Sequence, residues 1–148
     1  MCKIVHVATQ IINQCIARNI SIDYYRTQKL AYLCQVEHLK KYDVPLAPEL
    51  IWNWSCGAGF KEIYAFFKTN GMKEKDNIKT SIKKSLDLLS FERETIDFVI
   101  DTYAHLPFEK IQSMYKYDGV TIGEIVSIDL IKKVISKNNS CDNKENNT

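Results

Sequence analysis

The residues with the clearest chemical potential lie together in Ser55–Gly59, read Ser-Cys-Gly-Ala-Gly. A cysteine just ahead of an expected helix sits where unpaired amides and the helix dipole favour the nucleophilic thiolate. His6, His38 and His105 are the available bases if the fold brings one close to Cys56. No nucleophile signature surrounds Cys56, so a small residue packed at a tight turn is the competing reading, and the favoured one. Gly57-Ala58-Gly59 ahead of a helix would also offer amides to a phosphate. It is a single G-x-G, lacking the further glycine or the GK[ST] of nucleotide-binding loops. Glu37-His38 has no second histidine one turn on, so it is not the zinc-binding helix signature. Cys2, Cys15, Cys34, Cys56 and Cys141 include no C-x-x-C pair. Buried free thiols are therefore expected, with no metal, no cofactor and no enzymatic activity.

Positioning any of these groups falls first to Thr27–Leu39, TQKLAYLCQVEHL. Leu30, Leu33, Val36 and Leu39 recur without Gly or Pro, and Ala31, Tyr32 and Cys34 fill the gaps. A helix apolar on all sides is buried among others. Lys29, Tyr32, Gln35, Glu37 and His38 nevertheless run through it, forming a polar centre. Lys29, Leu33 and Glu37 share one i, i+4, i+8 row. The lysine and the glutamate are expected to hold the helix to its neighbours, a structural ion pair being the plain alternative.

The remaining elements follow in order. Ile4, Ala8, Ile11, Ile12 and Cys15 mark a first amphipathic helix ending near Asn19. Ser21 is the expected N-cap of the central helix, at about 22–42, which Pro45 and Pro48 terminate. LIWNW reads as a strand near 50–55, SCGAG as a break, and Phe60, Ile63, Tyr64 and Phe67 as a third helix closed by Asn70-Gly71. Lys73–Lys84 leans to a helix through Ile78, Ile82, Leu86 and Leu89, with a strand or loop as the alternatives because its first half is so polar. Ser90 is expected to cap a helix burying Ile96, Val99, Ile100 and Tyr103, and Pro107 to open a short helix through Phe108, Ile111 and Tyr115. Ser127 is expected to cap a last helix bearing Leu130, Ile131, Val134 and Ile135. The fold class is thus mainly α: one compact domain over residues 1–137 with a small β element, then a disordered polar tail at 138–148.

Composition narrows the function classes. The chain has 148 residues, 45% of them hydrophobic and 26% charged, as in ordinary globular domains. A net charge of +2 gives no basic footprint for nucleic acid. The alternative, a basic stripe over Lys73–Lys84, is interrupted by acidic residues. No apolar run is long enough to span a membrane, and no signal-peptide pattern opens the chain, so a cytoplasmic protein is expected. Trp52, Trp54, Phe60, Tyr64, Phe66 and Phe67 form a dense aromatic cluster. Too many lie on both faces of the third helix for all to be buried, and exposed aromatics mark interaction surfaces. Trp52, Trp54, Phe60, Tyr64, Phe67 and Lys68 are the expected partner-binding residues.

These blocks resemble the Panacea domain of SocA-type antitoxins and phage-associated proteins. Gln28, Lys29, Leu30, Tyr32, Gln35, His38 and Leu39 fall on its first motif. Leu46, Trp52, Trp54 and Gly57 fall on its second, and Tyr64, Phe67, Lys68 and Gly71 on its third. The likeness is closest over Val7–Gly71. The family's Gly-Pro turn reads Cys-Gly-Ala-Gly here, and its later Leu-Thr-His…Pro-Trp segment has no counterpart around Ala104–Tyr115. The resemblance implies a mostly helical module that neutralises one protein partner, a toxin, by direct contact or by presenting it to a protease. A phage-encoded inhibitor of a host defence protein is the variant reading. The oligomeric state is left open.

Overall fold

A computed structural model describes residues 1–82 and 87–146, with backbone alone for 140–146. The expectations at Lys83, Lys84 and Leu86, and the side chain of Cys141, lie outside the described residues. Among the described residues, six helices and three short strands follow in the order α1 (Ile4–Ala17), α2 (Tyr24–Tyr42), β1 (Ile51–Trp54), β2 (Gly57–Gly59), α3 (Lys61–Thr69), α4 (Ser90–Tyr103), α5 (Phe108–Ser113), β3 (Ile125–Val126) and α6 (Ile128–Asn146).

The central helix is where its all-round apolarity requires it. Every residue from Thr27 to Leu39 is buried, and α2 packs against all five other helices and β2. Its N-cap is Asp23 rather than the expected Ser21: the carboxylate accepts from the Arg26 N–H at 2.8 Å. Asp43 closes the helix with φ 59°, returning its N–H to the Leu39 carbonyl. The first turn of α1 is satisfied from a distance, where both Glu49 carboxylate oxygens accept the Ile4 N–H at 3.0 and 3.1 Å. Ser90 lies inside α4, and Leu89 is the cap. The Glu92 side chain reaches back to the Leu89 N–H at 2.8 Å. Pro107 stands one position outside α5, and Tyr115 lies beyond it at φ 51°. Ser127 does cap α6, accepting from the Leu130 N–H at 3.1 Å. The backbone of α6 runs past Asn138 into the stretch for which a disordered tail is expected.

Two segments depart from the sequence reading. SCGAG is not a break: Ser55 and Cys56 turn a hairpin, and Gly57–Gly59 pairs back onto β1 as β2. With β3 on the other edge the sheet order is β2-β1-β3, antiparallel throughout. Residues 73–82 form no helix, because their main chain bonds outward. The Ile78 N–H donates to the Ile22 carbonyl, and Asn13 of α1 grips Ile82 twice, at 2.8 and 2.6 Å. Ile78 and Ile82 still pack on the core, but as a strap across it.

Candidate protein-binding surface

Residues directly opposite in an antiparallel pair share a face, and alternate residues along a strand share it too. Ile51 pairs with Val126 and faces the core, as does Ala58. Trp52, Trp54 and Ile125 therefore share the outer face, with Gly57 and Gly59 opposite the tryptophans. Gly59 is glycine for a physical reason. A Cβ there would stand 2.3 Å from Cε3 of Trp54, so the ring lies flat on bare backbone. Lys61 sits over the Trp52 ring at 3.7 Å. Both tryptophans are half-buried, and Ile125 is 44% exposed.

Around the corner, Tyr24 packs edge-on to Tyr25, Tyr64 and Phe67. Tyr64 is 41% exposed, and with Tyr24, Lys68 and Met72 it lines a groove of about 510 Å³ between α3 and the strap. Lys68 lies 5.8 Å from the Tyr64 ring. Among the expected partner-binding residues, the structure thus brings Trp52, Trp54, Tyr64 and Lys68 to accessible positions on adjacent elements. Phe60 and Phe67 are buried and belong to the core, and Phe67 also lines the groove. Phe60 is instead the junction between β2 and α3, with its side chain fully buried.

The polar residues of α2 work mainly as staples. Gln28 accepts from the Phe60 N–H at 2.9 Å and donates to the Phe60 carbonyl at 3.0 Å. Gln35, two turns on, does the same for the loop after α2, accepting from the Leu46 N–H at 2.7 Å and donating to the Ala47 carbonyl at 2.8 Å. Arg26 donates to the carbonyls of Ala104 and Leu106, Lys29 to Met114, and Tyr32 to Tyr115. Glu37 accepts from the Tyr103 hydroxyl at 2.6 Å, and His38 meets Thr95 at 2.8 Å. Lys29 and Glu37 do not form an ion pair. Each holds a different neighbour, as their eight-residue separation along the helix allows. Burial, with the Lys116 charge behind it, pulls the Lys29 ammonium down to about 8, and burial pulls His38 below the usual range. Burial and the Glu37 carboxylate push the Tyr103 hydroxyl up.

The enzymatic possibilities find little support. Cys56 stands at the hairpin turn, exposed, with β2 between it and the start of α3. Its sulfur has Ser55 Oγ at 3.9 Å, and no histidine lines the clefts beside it. The Gly57-Ala58-Gly59 amides belong to a strand, and the next N–H, of Phe60, is taken by Gln28. Among the described residues no group of three or more His, Cys, Asp or Glu could hold a metal ion. Nor is any described helix long and apolar enough to cross a membrane.

The sequence profile described as antitoxin SocA-like, Panacea domain, matches residues 27–118. The chain belongs to that family. The match begins three residues inside α2 and runs through α5 to the turn before Gly119, so the Panacea core reaches further along the chain than the three motif blocks do. No curated protein and no solved structure gives a significant match. Membership of an antitoxin-like family suggests a non-enzymatic role directed at a protein partner such as a toxin. The geometry adds what the motif residues are for: Gln28, Lys29, Tyr32, Gln35 and His38 hold the Panacea domain together from inside.

Sequence reasoning missed several residues of this candidate surface. Tyr24 and Met72 line the groove, yet neither belongs to the aromatic cluster that drew attention. Ile125 reaches the outer face only through strand pairing across seventy residues, which no local pattern shows. The clamp role of Gln28 had a signal: a glutamine seven residues from another on a helix otherwise apolar in every direction.

Proposed function

We propose that this domain is a protein-binding, antitoxin-like module that neutralises one partner toxin by direct contact, using the outer face of the sheet and the adjoining α3 groove. Family membership supports the antitoxin role. The observation that carries the choice of surface is the accessibility of Trp52, Trp54, Ile125 and Tyr64 on adjoining elements, while the motif glutamines of α2, Gln28 and Gln35, are consumed by internal contacts. Half-buried aromatics with one open face are the residue type that dominates binding energy at interfaces.

The experiment is co-expression with candidate toxins, scored by rescue of growth and by capture of the toxin on the tagged domain. Trp52→Ala/Tyr64→Ala, shown to be folded by circular dichroism, should lose both rescue and capture. Phe98→Ala, half-exposed on the far α4 face, should keep both. Equal capture by the two variants refutes this surface. A toxin half-life that shortens on capture adds presentation to a protease to the mechanism; an unchanged half-life restricts it to blocking.

A further inference from the structure

Behind the hairpin turn, the Cys56 side of the sheet and the segment after α5 enclose a cleft of about 400 Å³, within the range of small-ligand sites. Lys29 lies at its base and Lys116 at its rim, with Trp54 and Tyr117 in its walls. No carboxylate lines it. Lys29 is 7% exposed, so nearly all of its side chain is out of water. Of its three N–H donors, one has a protein acceptor, the Met114 carbonyl at a long 3.3 Å, and the Tyr32 ring face stands 4.6 Å away. Holding that carbonyl does not call for a charge. One residue later Tyr32 holds the Tyr115 carbonyl with a neutral hydroxyl at 2.7 Å. A buried ammonium facing a second one, with unused donors and no counter-charge, is costly unless an anion joins them.

We propose that this cleft is an anion-binding site, in which the phosphate or carboxylate group of a small ligand sits between Lys29 and Lys116. The two ammonium groups supply the charge, and Trp54 and Tyr117 supply ring faces for the rest of the ligand. The site goes beyond the toxin-binding role and stands on different residues apart from Trp54.

Titration of the full chain with inorganic phosphate, and separately with citrate, tests it by amide NMR shifts at ionic strength held constant with chloride. Saturable shifts confined to the amides around residues 54–57 and 112–117 are expected with at least one probe. Lys116→Gln, at an exposed position, should weaken binding about tenfold through the lost charge-assisted hydrogen bond. Lys29→Met, shown to be folded, should abolish it. Absence of saturable shifts with both probes overturns the proposal. So do shifts unchanged in Lys116→Gln, or shifts spread over the surface lysines of α6.

Discussion

Replacing Gln28 by Leu keeps roughly the side-chain volume and removes only the amide, which makes its cost calculable. The Phe60 N–H, at a fully buried residue, loses its acceptor. The Phe60 carbonyl keeps one donor, the Tyr64 N–H at 3.2 Å, and loses the second, while the Tyr24 hydroxyl loses the Gln28 amide that donates to it at 3.2 Å. An orphaned buried donor costs roughly 1–3 kcal/mol and each of the two other lost bonds roughly 1, so the variant should be less stable by about 3–5 kcal/mol. Urea unfolding followed by circular dichroism measures this, with an unchanged m-value as the sign that the native fold is retained. Amide exchange at Phe60 should accelerate in step. Gln28→Glu separates hydrogen bonding from charge. A carboxylate can still accept from the Phe60 N–H, but it faces the Phe60 carbonyl with an oxygen where a donor stood. Its folded-state pKa must therefore rise above the unfolded value of about 4.3. Stability of that variant is then fullest below about pH 4 and is lost as pH rises through the folded-state pKa. Gln28→Leu has no such dependence. A loss under about 0.5 kcal/mol in Gln28→Leu, with Phe60 exchange unchanged, would refute the staple argument.

Three further outcomes are expected. Tyr103→Phe removes the hydroxyl 2.6 Å from Glu37 and leaves a buried carboxylate with only the Lys40 ammonium at 3.4 Å, costing about 1.5–3 kcal/mol in urea unfolding; near-wild-type stability would mean that water reaches Glu37. His38, held below its usual pKa by burial, takes up its proton at lower pH when folded than the unfolded chain does near pH 6.5. Its contribution is therefore complete above that pH and falls as pH drops below it, so the stability gap between wild type and His38→Gln should narrow from pH 7 to pH 5, and parallel profiles would contradict this. Gly59→Ala places a methyl 2.3 Å from the Trp54 ring, which must lift off the strand at a cost of about 1–3 kcal/mol, nearer the lower end because the ring is half-exposed. In a Trp52→Phe background the Trp54 emission should shift red, and unchanged emission would show that the ring never rested there.

The central helix, the first strand and the third helix were legible because their signals are local: continuous apolarity, an aromatic β-branched run, and apolar residues at helical spacing. The failures share a different cause. Gly57 and Gly59 read as a break because a glycine's use as a platform depends on Trp54 arriving from the opposite strand. Ile78 and Ile82 kept four-residue steps, yet the strap they belong to is set by Asn13 and Ile22, more than fifty residues earlier. Ser21 lost the cap to Asp23, two positions on, since either side chain serves and the helix start is decided by what it packs against. Of the surface, the aromatic types were legible, but which rings stay open was not. Phe60 and Tyr64 share a helix-spaced pattern, and only the tertiary fold buries one and bares the other.

Five side chains of α2, Arg26, Gln28, Lys29, Tyr32 and Gln35, take hold of main-chain atoms: the carbonyls of Ala47, Phe60, Ala104, Leu106, Met114 and Tyr115, and the amides of Leu46 and Phe60. Every residue type carries a carbonyl, and all but proline carry an amide hydrogen. What the helix recognises in its surroundings is thus nearly blind to the sequence of those surroundings. The loop after α2, the start of α3 and the segment after α5 can exchange their exposed side chains while the same grip holds their backbones in place. Such a framework can change what it binds by substitution at the rim alone, with its interior text left unedited.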